Sequence, residues 1–100
     1  MRADSPEDLE THLEDALVLL DSTATSSLFE QGGVLIDGAG CVRDRDHAVA
    51  YLMGQQSYLA ASRSVTTIGN VAVVVGDQVI NISRRNPDAG WLLVAAIVRR

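Results

Sequence analysis

Hydrophobic positions along the chain follow two regimes. Before Gly54 they recur at helical spacing between short breaks; from Ser62 onward they cluster in β-branched runs. The first stripe is Leu9, Leu13, Ala16, Leu17 and Leu20, at i, i+4, i+7, i+8 and i+11. Ahead of it, Ser5-Pro6-Glu7-Asp8 supplies a capping hydroxyl, a proline for the first helical position and an acid three residues past the cap. Glu7, Asp8, Glu10, Glu14 and Asp15 fall largely off the stripe and toward the positive end of the helix dipole. Asp21 and Ser22 cap a shorter second helix ending near Phe29, which Leu28 and Phe29 must anchor by packing because its Ser/Thr content is a weak helix former.

Gly32-Gly33 breaks the helical pattern. A short strand is expected over 34–36, a turn at Asp37-Gly38-Ala39-Gly40 and a return strand over 41–43. A third helix starts at about Asp46, with Ala48, Val49, Leu52 and Met53 inward and Gly54 as its stop. Four strands then follow, over 65–68, 71–75, 79–84 and 91–98. Gly69-Asn70 and Gly76-Asp77 have the composition of type II′ hairpin links, and Asn86-Pro87-Asp88-Ala89-Gly90 joins the last pair. Links this short join antiparallel neighbours, so the late half is a four-strand meander.

The strand over 91–98 is apolar on both alternating faces and needs cover on each side. Helices cover one side; a curled sheet enclosing a cavity, or a second subunit, covers the other. The order α-α-β-β-α-β-β-β-β is an α+β arrangement. Its antiparallel sheet should pack one face on helix one, with Leu13, Leu17 and Leu20 touching the last two strands.

Composition narrows the chemistry. A length of 100 residues fits one domain, residues 1–100. The single cysteine leaves neither a disulfide framework nor a C-x-x-C site. Net charge is -5 but uneven: residues 1–50 hold eleven acids against three arginines, residues 51–100 two against five. An acidic chain of this kind is not expected to bind nucleic acid. The absence of lysine excludes a P-loop and Schiff-base chemistry. No apolar stretch reaches the ~18 residues of a membrane span, and the polar, acidic start is unlike a signal peptide, so the expected compartment is the cytoplasm. Asp44, Asp46 and His47 resemble a metal cluster only by composition; carboxylates capping helix three explain the acids better, and neither a metal nor a cofactor is expected.

In order and spacing, the chain resembles the nuclear transport factor 2-like superfamily, specifically its SnoaL-like and ketosteroid isomerase-like members. The resemblance rests on the capped first helix, the Asp21-led second helix, the segment Leu28-Phe29-Glu30-Gln31-Gly32-Gly33-Val34-Leu35-Ile36-Asp37, Arg43-Asp44-Arg45-Asp46-His47-Ala48-Val49, and Gly90-Trp91-Leu92-Leu93-Val94. It implies a cone in which a strongly curved antiparallel sheet wraps the long first helix (a cystatin-like α+β roll) around a pocket at the open end. Asp44 stands where the family usually has glycine, and the chain is shorter than most members, which implies a shallow cone.

The resemblance also implies site residues. Asp37 matches the catalytic aspartate of the isomerase-like members, a general base that works among apolar walls; the alternative is a turn aspartate accepting backbone N–H bonds. The isomerase's oxyanion hole is not reproduced, since its tyrosine position falls near Leu13 and its acid position near Asn81 or Ile82. Leu13, Leu17, Asn81 and Trp91 are the candidate contacts for an apolar small molecule. Asn81 shares a face with Val79 and Ser83 and either donates into a pocket or faces solvent. Tyr51 and Tyr58 line a cavity or belong to the core, His12 and His47 are helix histidines, and Cys41 is a small hydrophobe. Two functions compete: the leading one is a binder of an apolar small molecule, with or without proton transfer at Asp37, and the alternative is a non-catalytic homodimeric interaction module whose sheet is covered by a partner subunit.

Overall fold

The computed structural model describes residues 2–54 and 63–99. Tyr58 and the onset of the strand-rich half at Ser62 lie outside them. Among the described residues there are three helices, each beginning at a side-chain cap that the sequence signals. The Ser5 hydroxyl accepts from the Asp8 N–H at the start of α1 (Pro6–Val18), with Pro6 in its first turn. Asp21 accepts from the Ala24 N–H to open α2 (Ser22–Ser27), and Asp44 from the His47 N–H to open α3 (Arg45–Met53).

The strands are β1 (Phe29–Ile36), β2 (Val42–Arg43), β3 (Ser64–Ile68), β4 (Val71–Val75), β5 (Val79–Asn86) and β6 (Gly90–Val98). They form one curved, open sheet in the order β2-β1-β6-β5-β4-β3. The meander from β3 to β6 is antiparallel throughout, as the short links require. The sheet as a whole is mixed, because β1 pairs with β6 in parallel: Val34 lies opposite Ala95 and Ile36 opposite Ile97.

β1 starts five residues earlier than its apolar run suggests. Gly32 and Gly33 interrupt the hydrophobic pattern but not the strand, and the register shifts between Phe29 and Val34 to absorb them. Gly69 leads its hairpin at φ +59, the backbone a type II′ turn demands. Gly76 does not: its N–H donates to the Val79 carbonyl, so Asp77 and Gln78 make that turn.

Strand alternation gives the sheet two faces. On the inner one, Ala72, Val79, Leu93 and Ala96 meet Leu9, Leu13 and Leu17 of α1 in a single apolar core. The expected contact of Leu20 with the late strands does not occur. The Leu20 N–H donates to the Leu17 carbonyl and the Asp21 N–H to the Ala16 carbonyl, a Schellman closure that puts Leu20 in the left-handed region at φ +51 with 65% of its surface exposed. A branched residue is strained there, and burial does not compensate. Leu20→Gly is therefore expected to stabilise the fold by roughly 0.5–1 kcal/mol, read as a raised denaturant midpoint with an unchanged slope.

Candidate functional site

The inner face also carries polar side chains. On β5, Asn81 (1% exposed) and Ser83 project between buried Ala72 and Val74 of β4 on one side and Leu93 and Ala96 of β6 on the other. The Asn81 side chain is thus turned inward, not to solvent. The Ser83 hydroxyl is buried with no hydrogen-bond partner among the described residues. From α1, Glu10 reaches inward at 6% exposure, and its Oε1 lies 3.1 Å from Nε of Arg63, just ahead of β3. A second guanidinium nitrogen of Arg63 donates to Glu14. Two carboxylates on one helix therefore hold one arginine at the lip of the sheet.

Of the candidate ligand contacts, Leu13, Leu17 and Trp91 belong to the one apolar core cluster, and Asn81 is buried on the same inner face. Trp91 also borders a separate polar cleft of about 350 Å³ with Arg2, Asn70 and Arg85. Tyr51 is partly buried against the core, and burial pushes its phenol up from the usual value. The acids of α1 were expected off the apolar stripe, and for Glu10 this is corrected. At about 100° per residue it sits only about 20° from Leu17 around the helix, which is the signal that would have found it.

Asp37 closes the turn between β1 and β2. Its Oδ1 accepts from the Ala39 N–H at 3.0 Å and the Cys41 N–H at 2.9 Å, and its Oδ2 from Nε of Arg43 at 3.2 Å. Donation from the Cys41 N–H above all, and then from Arg43 and Ala39, holds the carboxyl below its usual value against the opposing effect of desolvation. These are the contacts of a turn aspartate, and they make the carboxylate a weaker base, not a stronger one. Cys41 is exposed, not buried as a small hydrophobe would be.

Asp44 also accepts from Nδ1 of His47 at 2.7 Å. That bond, first among several, lowers its pKa. His12 lies 3.6 Å from Asp8 through Nε2. Among the described residues no three His, Cys, Asp or Glu side chains converge as a metal site would require.

Comparison with solved structures decides the fold. An NTF2-like protein of Rhodospirillum rubrum superposes with a TM-score of 0.64 at 20% identity, over 97% of this chain and 100% of that one. The fold is nuclear transport factor 2-like. Similar agreement holds for a candidate ketosteroid isomerase of Shewanella frigidimarina (TM-score 0.65, 13% identity, 92% of each chain). It holds also for an NTF2-like protein of Cytophaga hutchinsonii (TM-score 0.64, 15% identity, 91% of each chain). No family sequence model matches the chain, and no curated protein matches it by sequence. The nuclear transport factor 2-like architecture hosts unrelated activities, so the site must carry the functional argument.

Proposed function

We propose that this chain is a self-associating nuclear transport factor 2-like module, two copies of which join through the outer face of the sheet. One observation carries the reading: that face is apolar across β4, β5 and β6. Register puts Val73 opposite Ile82 and Ile82 opposite Ala95, and likewise Val75 opposite Ile80 and Ile80 opposite Ile97. Val71, Val75 and Ile68 are exposed, and the more central Val73, Ile80, Ile82 and Ile97 are partly so. Contiguous apolar surface of this kind is characteristic of interfaces. On one flank Arg84 donates to both carboxylate oxygens of Glu30, at 2.9 and 2.7 Å, so the charges there are matched within the chain and select no charged partner. A second copy offers the same neutral apolar patch, and a two-fold axis brings the two together.

A second reading is favoured by the buried Ser83 hydroxyl, which has no partner among the described residues and sits beside Asn81 on the inner face. It is a small molecule held on that face by an acceptor or donor reaching Ser83. Asp37 enters neither reading as a base.

Native mass spectrometry with sedimentation reads both. The expected result is a species of twice 10.7 kDa at micromolar concentration, burying about 1,200–2,000 Å² in total. Ile82→Arg should give a folded monomer with an unchanged circular dichroism spectrum. A wild-type monomer at high micromolar concentration overturns the reading, and a copurified ligand mass would transfer support to the second.

A further inference from the structure

The helical side of the molecule, away from the sheet's outer face, carries an open cleft of about 630 Å³ between α2 and α3. At one end it is lined by Arg45 and Asp46, the first two residues of α3. Neither side chain makes an ion pair or hydrogen bond with any described residue. Consecutive residues on a helix point about 100° apart, which keeps the two charges from neutralising each other. Val49 and Met53, one turn apart on α3, line the same cleft, and Ser22 and Ser26, one turn apart on α2, line the opposite wall. Neither hydroxyl has a hydrogen-bond partner among the described residues.

We propose that this cleft binds a free amino acid with an apolar side chain. An anion alone would pair with Arg45 but be repelled by Asp46, and a cation alone would meet the reverse. A zwitterion satisfies both charges at once: its carboxylate takes the Arg45 guanidinium, with its planar fork of donors, and its ammonium takes the Asp46 carboxylate. The apolar side chain then lies along Val49 and Met53, and the Ser22 and Ser26 hydroxyls offer hydrogen bonds to carboxylate oxygens. Binding here is independent of the sheet interface, and the two proposals fail separately.

The test is an amide chemical-shift titration of the whole chain with L-leucine, with 4-methylpentanoate, which lacks the ammonium, and with leucinamide, which lacks the carboxylate. L-leucine should shift amides of 22–27 and 45–53 saturably, and each truncated ligand should bind about tenfold more weakly, as loss of one charge-assisted contact implies. Asp46→Asn should erase the preference for leucine over 4-methylpentanoate while retaining that over leucinamide, and Arg45→Gln should do the reverse. Both positions line an open cleft, so folding should survive either change. Equal binding of all three ligands, shifts confined to other elements, or no saturation by roughly 50 mM leucine would each overturn the proposal.

Discussion

Gly90→Ala should lower the stability of this protein by about 3 kcal/mol, a fall of roughly 15 °C in melting temperature for a domain of this size. Two independent costs add at the position. Gly90 has φ +80, which alanine adopts only with strain. A Cβ there would also stand 2.4 Å from the Ala3 carbonyl oxygen, a backbone atom that cannot swing aside as a side chain could. That carbonyl accepts from the Trp91 N–H at 3.0 Å, and Ala3 is itself buried in the core. Relieving the clash therefore means peeling the amino-terminal segment from the start of β6. Thermal denaturation gives the number, and proteolysis near Ala3 should quicken in the variant. A change below about 1 kcal/mol would show that the segment repacks freely.

Arg63→Met should cost about 3–5 kcal/mol near neutral pH. The wild-type Arg63 side chain is largely buried between Glu10 and Glu14, and the side chain of Glu10 is hidden even more fully. Methionine keeps much of the volume but leaves Glu10 buried without its guanidinium, which is where the cost lies. Adding Glu10→Leu to Arg63→Met should recover most of the loss, since it removes the charge left behind. Urea denaturation of wild type, single and double variants checks both statements. A double variant no more stable than the single would mean that the arginine acts through packing alone.

The three helix starts were legible because each is a local event, a Ser or Asp whose side chain satisfies an N–H three residues on. The antiparallel meander was legible for the same reason, since short links leave adjacent strands no other arrangement. What escaped were outcomes decided at a distance. The parallel pairing of β1 with β6 leaves no mark in either segment alone. Leu20 falls in the middle of the apolar stripe, yet the helix ends two residues before it and the chain turns away. Glu10 was hidden by its polarity, because its burial depends on Arg63, far along the chain. At the candidate site, the turn contact between Asp37 and Ala39 could be anticipated from the residue types, whereas the inward aim of Asn81 depended on which face of β5 the helix covers.

The strand order carries a consequence for how the molecule assembles. Among the described strands, β1 and β2 touch the rest of the sheet only through β6, the last of them in sequence. During synthesis the helices and β1 emerge early and the β3–β5 meander can close on itself, but the two portions have no shared strand until β6 arrives. Inserting it joins Phe29 to Leu93 and closes a long loop, a step that is intrinsically slow. Until then one edge of β1 and one edge of β5 stand open, each a template for a strand from another chain. The doubly apolar sequence of β6 is thus both the keystone of the sheet and the segment whose delay exposes it to misassembly.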